Sequence, residues 1–179
     1  TYRTVLIGAG NVASFLKENI IGPFEVLAVG GRSRSCPIPK DADIYIISVS
    51  DKAISAVAEE LKDVNGLVVH TAGSVPMDVL PQTRRGVLYP LQTITKGRKL
   101  TPSHVPFYIE ANREHDLGLL RTLAEAMGSS AMQMDSHRRR YLHLAAVFCC
   151  NFVNRFYGIT AELLAEQDIY QRHEDISVI

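Results

Sequence analysis

The sequence predicts an α/β protein: a doubly wound, mostly parallel sheet over residues 1–135, then the first part of a helical second domain over residues 136–179. Three observations predict it. Short apolar, β-rich runs alternate with helical patterns along the first 135 residues. Those runs are apolar at consecutive positions, which marks strands covered on both faces. At Asp135-Ser136 the alternation stops and one long apolar helix begins.

Residues 5–7 form the first strand, and a helical pattern follows over 11–20. Gly22-Pro23 makes a turn into a second strand at 25–29, and Ile-Tyr-Ile-Ile-Ser-Val makes a third at 44–49. A helix over 51–62 presents Ile54, Val57, Ala58 and Leu61 on one face. A fourth strand at 67–70 leads into a loop and a short helical turn near 77–80. Strands at 87–89 and 105–110 flank a loop containing Pro and Lys. The helix over 114–127 carries Leu117, Leu120, Leu123, Ala124 and Met127 on one face, and Gly128 stops it. One more short strand fits 131–134. Asp135-Ser136 provides an N-cap for the last helix. From 141 to 157 that helix is apolar nearly all round, so it is expected to be buried as the centre of a second domain or as a dimer core. Between Val29 and Ile44 there is no room for a crossover helix, and Cys36-Pro37-Ile38-Pro39 cannot form one.

The composition narrows the class. The 179 residues are 46 % hydrophobic and 21 % charged, enough apolar content to bury a core. Zero net charge argues against nucleic acid or an anionic membrane as partner. No apolar run approaches the roughly 18 residues of a membrane span, and the chain enters a strand at once, without a signal-peptide pattern. Cys36, Cys149 and Cys150 make no disulfide framework and have no metal spacing. The adjacent pair is expected to be buried thiols, and the expected compartment is the cytoplasm.

The first strand runs into Gly8-x-Gly10-x-x-Ala13 at the start of a helix. In that context Gly8 permits a tight turn, Gly10 lets a pyrophosphate approach the backbone, and Ala13 packs the helix on the strand. The helix N-terminus favours the phosphate charge. Gly8, Ala9, Gly10, Asn11 and Val12 are therefore the expected cofactor loop. Ligands of an open parallel sheet sit beyond the strand ends. The second end carries Arg32-Ser33-Arg34 and no acid, which favours the 2′-phosphate of NADP over NAD, unless it is a solvated basic loop. Ser48, Val49 and Ser50 end the third strand and would flank the cofactor ribose. His70 and Ser74 lie in a Gly-containing loop that could hold a substrate carboxylate or carbonyl, although His70 could instead be bonded to backbone. Gln92 ends the fifth strand and could orient nicotinamide or substrate. In the apolar helix, His143 is the candidate proton donor or acceptor and Asn151 a substrate contact. An ordinary helix puts them about 80° and 12 Å apart. His143 could also be a core histidine, and Arg138, Arg139 and Arg140 read as a solvated face.

Together these residues resemble the deazaflavin-dependent NADP oxidoreductase-like branch of the pyrroline-5-carboxylate reductase and hydroxyacid dehydrogenase superfamily. The motifs are Gly8 to Ala13, Ser48 to Ile54, His70-Thr71-Ala72-Gly73-Ser74, Tyr89-Pro90-Leu91-Gln92-Thr93, Val105-Pro106-Phe107, and Tyr141 to Phe148 with Asn151-Phe152. The resemblance implies an NADP-binding Rossmann domain, a helical dimerisation domain and a reductase or dehydrogenase site between them. It also implies more helical chain after Leu164. Two residues depart from it: Tyr89 stands where similar proteins often have His, and the apolar helix lacks the Lys that hydroxyacid dehydrogenases use. The expectation is a homodimeric NADP-dependent oxidoreductase for a small carbonyl, hydroxy or imine compound. The alternative is a non-catalytic NADP-binding sensor.

Overall fold

The computed structural model describes residues 1–30, 37–95 and 99–166. Seven strands, β1 Tyr2–Ile7, β2 Phe24–Val29, β3 Ile44–Ile47, β4 Leu67–His70, β5 Arg85–Pro90, β6 Phe107–Ala111 and β7 Ala131–Gln133, form one sheet. Its order is β2-β1-β3-β4-β5-β6-β7. The helices are α1 Asn11–Asn19, α2 Ile54–Glu60 with a 3₁₀ turn before it, α3 Glu114–Ala126 and α4 Ser136–Ala146. A π-helical segment, Val147–Phe152, joins α4 to α5 Val153–Glu166.

Consecutive apolar residues in each strand serve two different cores, because alternate side chains leave opposite faces. Leu6, Ile44, Ile46 and Val69 pack with Phe15 and Leu16 of α1 and Leu117, Leu120 and Leu123 of α3. Val5, Ile7, Tyr45, Ile47 and Val68 pack with Val57 and Ala58 of α2 and with Leu61. Each such side chain contributes about 1.5–3 kcal/mol by leaving water. The link from β2 to β3 carries no helix among its described residues. Ile38 and Ala42 pack into the second core in its place.

The sheet is mostly parallel, as expected, with β6 antiparallel to β5. The described residues between them hold only the 3₁₀ turn Pro102–His104. A parallel return needs a longer covered crossover. Within the single chain the apolar helix is exposed, Tyr141 keeping 63 % of its surface and Phe156 66 %. No described element packs over that side, so among the described residues it is not the buried centre of a second domain. Cys149 and Cys150 on the same helix, expected to be buried, are exposed thiols. The helix Ser136–Ala165 is, by length and composition alone, long and apolar enough to cross a membrane. The sequence reading missed this because the apolar stretch starts only after Arg138-Arg139-Arg140 and is broken by Arg155.

The start of α4 is firmly held. Asp135 caps it, accepting from the Arg138 N–H at 2.8 Å. Arg139 is not part of a solvated face but fully buried. It pairs with Glu110 of β6 and donates to the Val75 carbonyl at 2.7 Å. Ser136 donates to Glu110 at 2.7 Å and accepts from the Met77 N–H at 2.9 Å. These bonds tie α4 to the sheet and to the loop after β4.

Candidate functional site

The sheet order places β2 on one side of β1 and β3 on the other. The chain reverses direction across the sheet there, which opens a crevice beyond the strand ends. Gly8 sits in it with φ +144°, and a Cβ at that position would lie 2.0 Å from the Ser48 carbonyl oxygen. Only glycine lets β1 end against Ser48. Gly10 is the N-cap residue just before α1, and a Cβ there would meet nothing within 4 Å. The first intrahelical bond runs from the Ser14 N–H to the Gly10 carbonyl. The N–H groups of the preceding turn are thus left without helical acceptors. No side chain caps this helix start and its first turn has no acid, so nothing there competes with an incoming anion. Open space beside Gly10 and these free donors fit the pyrophosphate of a nicotinamide dinucleotide.

The crevice is a cleft of about 650 Å³. Gly8, Ala9, Gly10, Asn11, Val12, Ser48, Val49 and Ser50 all line it, so the structure brings these sequence candidates together. Asn11 also donates to the Ile94 carbonyl at 3.0 Å, tying the loop after β5 to the helix start. Arg32, Ser33 and Arg34 lie outside the described residues. Asp51, Thr71 and Gly73, which stand in the expected strand-end loops without an assigned role, also line it, and so does Ile94, which lies just past the fifth strand-end loop. Their signal was the strand-end rule itself, which marks whole loops rather than single residues.

The cleft also reaches Tyr89 and His143. The Tyr89 hydroxyl and His143 Nδ1 are 2.9 Å apart, and the rings meet edge to face with centroids 5.7 Å apart. Burial pushes the Tyr89 phenol up to about 12. Both residues also line a second cavity of about 270 Å³, together with Gln92, Thr93, Cys150 and Asn151. His143 therefore stands where the two spaces meet. Asn151 shares this cavity because of the π-helical segment. Its wider turn rotates the chain less per residue, carrying Asn151 back toward the His143 side. Nothing in the sequence announced that segment. Gln92 accepts from the Thr93 N–H at 2.9 Å, which holds its amide at the cavity edge.

Two substrate candidates are placed elsewhere. His70 is fully buried, and both ring nitrogens are used by the loop that follows it. Nδ1 accepts from the Ala72 N–H at 3.2 Å, and Nε2 lies 3.3 Å from the Pro76 carbonyl. Burial, helped by the Arg139 charge, lowers its pKa to about 4. His70 is thus a neutral pin for the loop, the backbone-bonded alternative of the sequence reading. Ser74 donates to Asp51 at 2.5 Å and lines neither cavity.

The domain of unknown function DUF2520 matches residues 105–177. The crystal structure of a putative NADP oxidoreductase from Bacteroides fragilis superposes with a TM-score of 0.81. It is 33 % identical, over 94 % of this chain and 74 % of that one. A protein from Thermotoga maritima is 17 % identical with a TM-score of 0.74, over 97 % of this chain and 73 % of that one. The NADP-bound pyrroline carboxylate reductase of Plasmodium falciparum is 11 % identical with a TM-score of 0.67, over 93 % and 70 %. These two share the fold. No curated protein matches the chain.

Proposed function

The chain belongs to the Rossmann-like NADP oxidoreductase family that carries the DUF2520 domain, and from that premise we propose that it is an NADP-dependent oxidoreductase acting on a small carbonyl, hydroxy or imine compound. One observation carries the reading: a single cleft runs from the glycine turn at Gly8–Val12 to the hydrogen-bonded pair Tyr89 and His143. In this reading residues 1–135 hold the cofactor, and residues 136–179 belong to the part that closes the substrate side. The chain acts as a cytoplasmic homodimer.

When bound, the nicotinamide supplies or takes a hydride at a substrate carbon. The backbone of Gly8 to Val12 would hold its pyrophosphate, and Ser48 to Ser50 would face the adjacent ribose. Arg32, Ser33 and Arg34 would take the 2′-phosphate. His143 gives a proton to the substrate oxygen or nitrogen, or takes one in the reverse direction. Gln92 and Asn151 offer amide donors and acceptors from the walls of the smaller cavity. A proton-bearing pair at this end of the cleft supports an enzyme over a sensor, for which a closed apolar wall is expected.

The test has two parts. Fluorescence titration with NADPH and NADH is expected to show tighter binding of NADPH. Replacing Arg32 and Arg34 by Ala is expected to remove the difference, at about 1.5–3 kcal/mol per charge-assisted bond. Equal affinity of the unaltered protein for both refutes the NADP assignment. A panel of small aldehydes, ketones, hydroxy compounds and imines, followed by NADPH absorbance, then identifies the substrate class. Tight NADPH binding with no turnover across that panel refutes the oxidoreductase reading in favour of a sensor.

A further inference from the structure

We propose that Tyr89 is the positioning residue for proton exchange, its hydroxyl holding His143 by Nδ1 so that Nε2 is the nitrogen that meets the substrate. The proposal rests on the reading of His143 as the acid and base of the site. Three observations carry it.

The first is the bond itself. Tyr89 Oη lies 2.9 Å from Nδ1, whereas no described residue bonds Nε2, and the ring borders both cavities. The second is the chemistry of a hydroxyl. It can accept from Nδ1–H or donate to a bare Nδ1. Both forms of the ring that the proton step uses, the imidazolium and the neutral ring with its proton on Nδ1, offer Nδ1–H, and the Tyr89 oxygen accepts from either, whereas a backbone N–H could hold neither. Burial keeps the Tyr89 phenol protonated, so it does not become a competing anion. The third is Gly73. A Cβ there would lie 2.6 Å from His143 Nδ1 and 2.7 Å from Tyr89 Cζ, on top of the bond. Its loop is pinned against the pair by His70, through the Ala72 N–H and the Pro76 carbonyl. The glycine thus leaves the room that the pair occupies.

The proton step balances without any change at Tyr89. In the reducing direction the Nε2–H bond of the imidazolium breaks, and that proton bonds to the substrate oxygen as hydride from the reduced nicotinamide reaches the adjacent carbon. Nδ1 keeps its proton, donated to Oη. The ring ends neutral, with its lone pair on Nε2. In the oxidising direction that lone pair takes the proton back.

The primary test is imidazole NMR of the 15N-labelled full chain, with and without NADPH. The His143 signals are identified among the six histidines by their loss in His143→Gln. At acidic pH the bonded Nδ1–H proton of His143 is expected to be visible in the unaltered protein. It is expected to be lost to exchange with water in Tyr89→Phe. Gly73→Ala should cause the same loss with the hydroxyl still present, which guards against a misfolded Tyr89→Phe. A Nδ1–H signal that persists in Tyr89→Phe overturns the proposal.

Turnover of the panel compound that oxidises NADPH separates the proposal from its premise. Loss of a general acid or base lowers rate by about 10²–10⁴-fold. His143→Gln should fall in that range, Tyr89→Phe should fall less, and the double variant should be no slower than His143→Gln alone. A slow His143→Gln beside an unchanged Tyr89→Phe overturns the role of Tyr89 only. An unchanged His143→Gln overturns the acid–base reading, and this proposal with it.

Discussion

Gly8 and Gly10 stand two residues apart and face opposite constraints. At Gly8 the backbone has φ +144° and a Cβ would strike the Ser48 carbonyl, so Gly8→Ala combines strain of about 1–3 kcal/mol with a backbone clash. At Gly10 φ is −82° and the space beside it is open. Gly10→Val should therefore leave the melting temperature nearly unchanged and abolish NADPH binding, because its side chain fills the path of the pyrophosphate. Thermal unfolding beside an NADPH titration checks both. Retained affinity in Gly10→Val would remove the phosphate site from this turn. His70 yields a second expectation, set by pH. Its pKa falls from the ordinary 6.5 to about 4 on folding. Between those values the unfolded chain binds a proton that the folded chain refuses. Stability is thus intact above about pH 6.5, declines as the pH falls, and has lost about 3 kcal/mol near pH 4. Urea unfolding across this range should show that decline, and His70→Asn should flatten it. An equally steep curve in the variant would show that other groups carry the acid sensitivity. The sequence could put His70 at a strand end but could not choose between substrate and backbone as its partner. That choice depends on how far the loop to Pro76 folds back.

The three arginines at the start of α4 look alike in sequence yet differ completely in the fold. Arg138 is exposed, whereas Arg139 is fully buried against Glu110, which comes from a strand 29 residues earlier. Removing one partner of a buried pair leaves an uncompensated charge, at about 3–5 kcal/mol. Arg139→Met should lose that much stability in urea, and adding Glu110→Gln should recover part of it. A loss below about 1 kcal/mol would show that the pair is not what anchors α4. Helical periodicity alone could not single out Arg139, because its partners are distant in sequence. The same limit hid the direction of β6 and the π-helical segment. What was legible rested on local chemistry: consecutive apolar runs for β1 to β5, the glycine turn, the Asp135 cap, and Gly128 after α3, which takes φ +75°. Site residues were legible where a strand end or a helix start fixes them. Tyr89 was legible as a strand-end residue and a departure from a family pattern, but not as the partner of His143, since their bond spans 54 positions.

The helix beyond Ser136 leaves an apolar face that no described residue covers. Tyr141, Leu144, Phe148, Phe152 and Phe156 are all exposed and follow one another at intervals of three or four residues. Such spacing makes one stripe along a helix. The Phe148 and Phe152 rings stack at 5.1 Å, which keeps the stripe continuous through the π-helical segment. His143 and Asn151 line the cavity that the sheet side forms, so the helix has a working side and an uncovered one. A contiguous apolar face of this kind marks an interface. Its length along Ser136–Ala165, 30 residues, is enough for packing against a copy of itself. One observation favours that over a membrane: the helix carries His143, Asn151, Asn154 and Arg155 within its apolar stretch, and polar groups in hydrocarbon are costly. Light scattering of the full-length protein should therefore give a dimer mass. Phe148→Glu with Phe156→Glu should shift it to monomer, while NADPH still binds at the glycine turn of each chain. A monomer in the unaltered full-length protein would mean that its own chain covers the stripe. Sedimentation with membranes, released only by detergent, would mean that lipid does, and either outcome would refute the dimer.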